Sequence, residues 1–207
     1  LYLLVTTGHP DMARYAHPNL GRLVQPRHYS SVRATAEQGV PWAADNDCFQ
    51  GLDEQAYRTM LAAIDGLPGC RFVTVPDVVG DHDATLALWR EWHGFVGAAQ
   101  PPAFVLQDGV SVDTVPWDEC AATFIGGGDS FKLGPDARLL ARETKRRGLW
   151  LHMGRVNSHS RLRYAASLGC DSVDGTMWTK WKSTHLAKGL EWVREVSAFA
   201  SDQLELA

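Results

Sequence analysis

The chain has 207 residues, of which 45% are hydrophobic and 21% charged, with a formal net charge of −4. That length suits one domain with a sizeable core, near the lower limit for a closed eight-stranded α/β barrel. The composition excludes a disordered chain, and no apolar run approaches the roughly 20 residues that span a bilayer, so no membrane partner is expected.

The chain opens on Leu1-Tyr2-Leu3-Leu4-Val5-Thr6 without a basic leader or a cleavage site, which reads as a strand rather than a signal peptide. From there, short β-rich runs alternate with amphipathic segments of helical length, the pattern of parallel βα units. Strands are predicted over 2–6, 42–46, 72–76, 103–107, 123–126, 150–153 and 171–174. Helices are predicted over 53–65, 83–96, 116–122, 135–147, 158–168 and 184–200. Pro135 opens one helix and Gly148 follows its end, while Ser158 caps another that Gly169 closes. Seven strands are one short of a full barrel. Residues 178–181 are a candidate eighth strand, and 20–24 an excursion or hairpin arm. The expected fold is a compact (β/α)8 barrel of TIM type, complete or one strand short, forming a single domain over 1–207; an open doubly wound sheet is the alternative.

Charge is unevenly spread. Residues 1–130 hold 7 basic and 16 acidic side chains, whereas 131–195 hold 13 basic and 6 acidic. Arg14, Arg22, Arg27 and Arg33 also lie in a stretch, 12–36, free of acids. Two basic regions on a mildly acidic protein suggest a local polyanion-binding surface, although Lys145-Arg146-Arg147 alone reads better as a solvated helix face. Cys48, Cys70, Cys120 and Cys170 are widely separated, and the eight histidines form no metal-ligand spacing. A reduced thiol set in a cytoplasmic protein is therefore expected, with no metal or other cofactor implied.

The strand ends carry the chemistry. They read Ala44-Asp45-Asn46-Asp47, Pro76-Asp77, Gln107-Asp108-Gly109, Gly126-Gly127-Gly128-Asp129, His152-Met153-Gly154-Arg155 and Asp171-Ser172-Val173-Asp174. A single Asp at a strand end is usually a turn former or cap. Six polar ends in series would meet on the C-terminal face of a barrel, where this architecture holds its active site.

At these residues the chain resembles the tRNA-guanine transglycosylase superfamily, and within it the short phage-type DNA 7-deazaguanine transglycosylases. Asp45-Asn46-Asp47-Cys48-Phe49-Gln50 is similar to the family's acid/base segment, Asp77 to its guanine-clamping Asp, and Gln107 to its Gln-Gly strand end. Gly126-Gly127 resembles the turn that offers N–H groups to the base, and Met153-Gly154 the next strand end. Asp174 matches the second Asp of the family's Asp-x-x-Asp, its nucleophile. The likeness covers about residues 40–180 in order. Its implication is exchange of a guanine in nucleic acid for a 7-deazaguanine, such as a preQ0-type precursor, through a covalent aspartyl intermediate. The family's tRNA branch carries a Cys-rich zinc module after the nucleophile, whereas residues 177–207 hold no Cys. DNA is therefore the expected polymer, and tRNA, with a partner protein supplying the missing surface, the alternative.

Under that resemblance Asp174 attacks C1′ and Asp45 moves the proton, with Asp47 the other candidate for the second role. Asp77 accepts from N1 and N2 of guanine, and O6 takes a donor from Gln107, Gly126 or Gly127. Asp47, Phe49, Met153 and Gly154 complete the expected base site, and Lys132, Arg155, Lys180 and Lys182 are the phosphate candidates. Read on their own, Asp171 is structural, His152 is a satisfied barrel-interior group, and Trp178 and Trp181 are core residues or base-stacking platforms. A barrel hydrolase or aldolase and a non-catalytic nucleobase-binding barrel are the competing function classes.

Overall fold

The computed structural model describes residues 1–6, 17–180 and 182–205. Eight strands close into one barrel: β1 (Tyr2–Thr6), β2 (Leu20–Val24), β3 (Trp42–Ala44), β4 (Cys70–Thr74), β5 (Pro102–Leu106), β6 (Ala122–Ile125), β7 (Trp150–Met153) and β8 (Ser172–Asp174). Each pairs in parallel with its sequence neighbours, and β8 returns to β1 with Leu4 beside Asp174. The helices are α1 (Val32–Glu37), α2 (Glu54–Ile64), α3 (His82–Ala99), α4 (Asp129–Lys132), α5 (Pro135–Arg146), α6 (His159–Ser167), α7 (Met177–Lys180) and α8 (Lys182–Glu205).

Closure corrects three expectations. The missing strand is 20–24, which lies parallel between β1 and β3 rather than forming a hairpin arm. Residues 177–180 are helical, and Trp178 is fully buried with its indole N–H donating to Val156 O at 3.0 Å, so it is core and stacks on no base. Residues 116–122 are not a helix. Trp117 and Glu119 close tight turns, and Ala122 already opens β6, because its side chain is needed inside the barrel. Helix boundaries follow local chemistry elsewhere: Asp53, Asp81 and Ser158 accept from the N–H groups of Ala56, Ala84 and Arg161, and Pro135 occupies the first turn of α5.

Two apolar cores result from the period-2 alternation of strand side chains. Leu4, Leu23, Ala43, Phe72, Ala103 and Ala122 point inward and fill the barrel, with Tyr2, Phe124 and Trp150 packed against them. Their strand neighbours point outward and bury Trp89, Trp92, Tyr57, Met60 and Ile64 from the helical ring. Each large side chain so buried contributes roughly 1.5–3 kcal/mol. The same alternation sets the polar layer above the inner core. Two residues on from Leu23 is Gln25, from Ala43 Asp45, from Phe124 Gly126, from His152 Gly154 and from Ser172 Asp174.

Candidate active site

These inward positions line a cavity of about 250 Å³ at the C-terminal end of the barrel, with Asp45, Asp77, Gln107, Gly126, Gly127, Gly154 and Asp174 in its wall. Asp47, Phe49, Lys132 and Arg155 also line it. The sequence expectation therefore gathers in one place, with specific exceptions.

Asp77 does not follow strand alternation, since it lies on the loop beyond β4. It is fixed by two amides. Asn46 Nδ2 donates to Oδ1 at 2.7 Å and Gln107 Nε2 to Oδ2 at 2.6 Å. Burial pushes the Asp77 carboxyl above its ordinary value, and the two amide donors oppose that rise. Gln107 accepts in turn from the Gly80 N–H at 2.9 Å. Its carbonyl is thereby occupied, and it serves chiefly to aim Asp77. Asn46 makes three side-chain bonds: to Asp77, to Val75 O at 2.9 Å and from the Cys48 N–H at 2.9 Å. Asn46→Ala is expected to destabilise the fold by about 3 kcal/mol, measured by urea denaturation, because it removes one of the two amide donors of a buried carboxylate and leaves two backbone groups unpaired.

Gly126 and Gly127 differ in what they offer. The Gly126 N–H donates to Leu106 O at 3.0 Å and is spent on the sheet. Among the described residues none accepts from the Gly127 N–H, so that one is the available donor. Gly127 is left-handed with φ +70°, and a Cβ there would meet Asp108 Oδ2 at 2.6 Å and Phe131 at 2.8 Å, so only glycine fits. Asp108, the residue that interrupts the Gln-Gly pattern, accepts from the Gly128 N–H at 2.7 Å and holds this turn.

Asp45 accepts from Gln25 Nε2 at 3.2 Å. Burial first, and then the nearby Asp174 charge, raise its pKa to about 7, with the Gln25 bond acting in the other direction. Gln25 was not anticipated, because 20–24 was not assigned to the barrel; read as a strand, its end would have shown Gln25 by the same alternation. Asp47 stands at the rim in a left-handed conformation (φ 56°) and pairs with Arg27 at 3.2 Å. Its ion pair sets it apart from Asp45, which has no cationic partner among the described residues.

Asp174 receives two donors on the same oxygen. His152 Nε2 and the Arg155 backbone N–H both reach Oδ1 at 3.2 Å. No described group bonds to Oδ2. The Gly154 position admits no side chain, since a Cβ would lie 2.7 Å from the Phe124 ring and 3.3 Å from Asp174 Oδ1. Arg155 is left-handed (φ 60°), its guanidinium donates to Gly127 O, and it lies 5.7 Å from the centre of the Phe49 ring. Phe49 is 68% exposed at the cavity mouth.

Three expectations fail here. Met153 is 2% exposed and packs in the outer core, since it alternates with the inward His152 and Gly154. Lys132 is not a surface phosphate contact: it is buried and donates to Gly154 O at 2.9 Å from the cavity wall. Burial there, with Arg155 nearby, lowers its pKa to about 8. Gly126 offers no free donor. The side chains of Lys180, Lys182 and Trp181 lie outside the described residues. Asp171 is structural as read, bound to Lys145 at 2.6 Å and to the Leu151 N–H at 2.8 Å. Arg146 and Arg147 both pair with Glu143, which accounts for the basic run as a helix face.

No protein-family model matches the sequence. No curated protein sequence matches it either. Among solved structures, the fold is similar to that of a mutant mandelate oxidase with the C4a-OH-FMN adduct. That likeness has a TM-score of 0.60 at 16% identity and covers 96% of this chain and 73% of the other. At such identity it speaks for the barrel fold alone.

Proposed function

We propose that the chain is a base-exchange transglycosylase that replaces guanine in DNA by a 7-deazaguanine through a covalent aspartyl intermediate. The observation that carries this reading is the pairing of two unlike carboxylates in one cavity. Asp174 is tethered through one oxygen with the other engaged by none of the described residues, and Asp45 is poised to hold or release a proton near neutral pH. Nucleosidic exchange needs that division of labour.

In the proposed first half, Asp174 Oδ2 bonds to C1′ as the C1′–N9 bond breaks. The electron pair leaves with the guanine, which takes a proton from Asp45. In the second half the incoming deazaguanine gives its N9 proton to Asp45 and bonds to C1′, and the Asp174 carboxylate leaves. No oxidant or other co-reactant is required. Asp77, held by Asn46 and Gln107, accepts from the N1 and N2 edge that guanine and 7-deazaguanine share, while the Gly127 N–H faces O6.

A base must leave the helical stack to reach such a cavity. The exposed Phe49 ring with Arg155 beside it supplies a stacking surface at the mouth. The choice of DNA rests on the resemblance to the short phage-type branch. Incubation with radiolabelled guanine and either DNA or tRNA tests the whole reading, and label is expected to enter DNA. Label in tRNA would keep the chemistry and change the polymer. Label in neither, with guanine and with a panel of 7-deazaguanines, would sink it.

A further inference from the structure

Below Asp174 a chain of hydrogen bonds runs through the barrel interior, and of it the base-exchange chemistry above uses only the last link, from His152 to Asp174. The β7–β8 register sets His152 beside Ser172, and alternation turns Trp150, His152, Ser172 and Asp174 to the inside. Trp150 Nε1 reaches Ser172 Oγ at 2.9 Å, Ser172 Oγ reaches His152 Nδ1 at 2.8 Å, and His152 Nε2 reaches Asp174 Oδ1 at 3.2 Å. His152 is wholly buried, with ring centres of Phe124 at 4.5 Å and Phe72 at 5.1 Å.

The direction of the bonds follows from the donor inventory. An indole N–H can only donate, so Ser172 Oγ accepts from Trp150. A carboxylate can only accept, so the hydrogen facing Asp174 is on His152 Nε2. The neutral ring then carries none on Nδ1, which accepts the single Ser172 hydrogen. We infer that Trp150, Ser172 and His152 form a positioning relay that locks the His152 tautomer and thereby holds Asp174 Oδ1, leaving Oδ2 as the attacking atom and stabilising the carboxylate when it departs.

This inference rests on the base-exchange reading and adds a kinetic asymmetry to it. A hydrogen bond to Oδ1 is stronger when Asp174 is a carboxylate than when it is a glycosyl ester. An oxocarbenium-like transition state leaves much of the negative charge on the carboxylate. Removing the donor therefore raises free enzyme and transition state together, while the ester is little affected. Return of the ester to carboxylate slows more than its formation, and the covalent adduct accumulates. Loss of folding would deplete the adduct instead, and a chase at saturating guanine removes any change in base affinity.

The experiment follows the protein–DNA adduct on denaturing gels, then chases it with free guanine, in the native protein and in His152→Phe. Phenylalanine suits the aromatic surroundings but carries no donor. Expected is a roughly 10- to 100-fold slower chase with a larger steady adduct fraction in the variant. Ser172→Ala, which leaves the imidazole in place but frees its tautomer, should shift both quantities the same way by less. A variant adduct that chases at the native rate would overturn the relay while leaving base exchange intact. Absence of adduct in the native protein would fall on the base-exchange reading itself. Histidine-selective 15N NMR of the native protein reads the tautomer independently of any variant. A hydrogen on His152 Nδ1 would overturn the relay, and one on Nε2 supports it.

Discussion

Asp174→Asn is expected to abolish base exchange, by roughly 10⁴-fold or more, while leaving the barrel folded and guanine bound. The substitution keeps the side-chain shape, and its amide oxygen still accepts from His152 Nε2 and the Arg155 N–H, both at 3.2 Å from the native Oδ1. What disappears is the anionic second oxygen, so no ester forms. The base is held elsewhere, by the Asp77 carboxylate on its two amide supports, and its affinity should stay within about threefold, well below the tenfold that a lost hydrogen bond to a charged group brings. Equilibrium dialysis with guanine, a denaturing gel for the DNA adduct and label incorporation measure the three quantities separately. Residual exchange above about 1% of native, set against the ~10⁴-fold loss expected of a nucleophile, would assign the attack to another group.

Asp45→Asn should slow exchange by roughly 10²- to 10⁴-fold, the range of a lost general acid–base group, and should flatten its pH dependence. In the native protein the Asp45 pKa of about 7 arises from burial and from the Asp174 charge. Adduct formation draws on protonated Asp45 and should lose rate above that value. Return of the base draws on the carboxylate and should lose rate at low pH, with a midpoint below that value, because the ester removes the Asp174 charge that helps to raise the Asp45 pKa. Rapid-quench measurement of the two half-reactions across pH 5–9 (roughly two units either side of the Asp45 midpoint) separates the limbs, and both should vanish in the variant.

The same shift has a consequence for stability. The folded-state pKa of Asp45 is raised, so its contribution is fully present below roughly pH 4, the unfolded value, and is lost as pH rises through about 7. Asparagine carries no such titration. At pH 8 the variant should be the more resistant to urea, and near pH 4 the two should agree. These conditions are set by the two ends of that titration.

Much of this site is legible in the sequence. Asp45, Gln107 and Asp174 end apolar runs, and period-2 alternation carries them inward once the runs are strands of a closed barrel. The left-handed glycines and the helix caps were equally local, because φ preference and capping depend on a few neighbouring residues. Strand β2 was missed for a physical reason. Its five residues include Gly21 and Arg22, which weaken the β signal, and its place is fixed by pairing with β1 and β3 rather than by its own propensity. Gln25, and with it the environment of Asp45, went unseen as a result.

The sequence by itself determined the alternating βα plan, the acidic strand ends and the residue types available for chemistry, since these are written in short-range periodicity and composition. Only the tertiary structure decided their assignments. It spent the Gly126 N–H on the sheet, turned Met153 outward, buried Lys132 against Gly154 O and made Asn46 a support for Asp77. It also joined His152 to Asp174 across two strands whose bonded residues are 22 apart in sequence. Hydrogen-bond partners, burial and the resulting proton affinities are set by what closure brings within about 3 Å, and no local pattern in the chain encodes that distance.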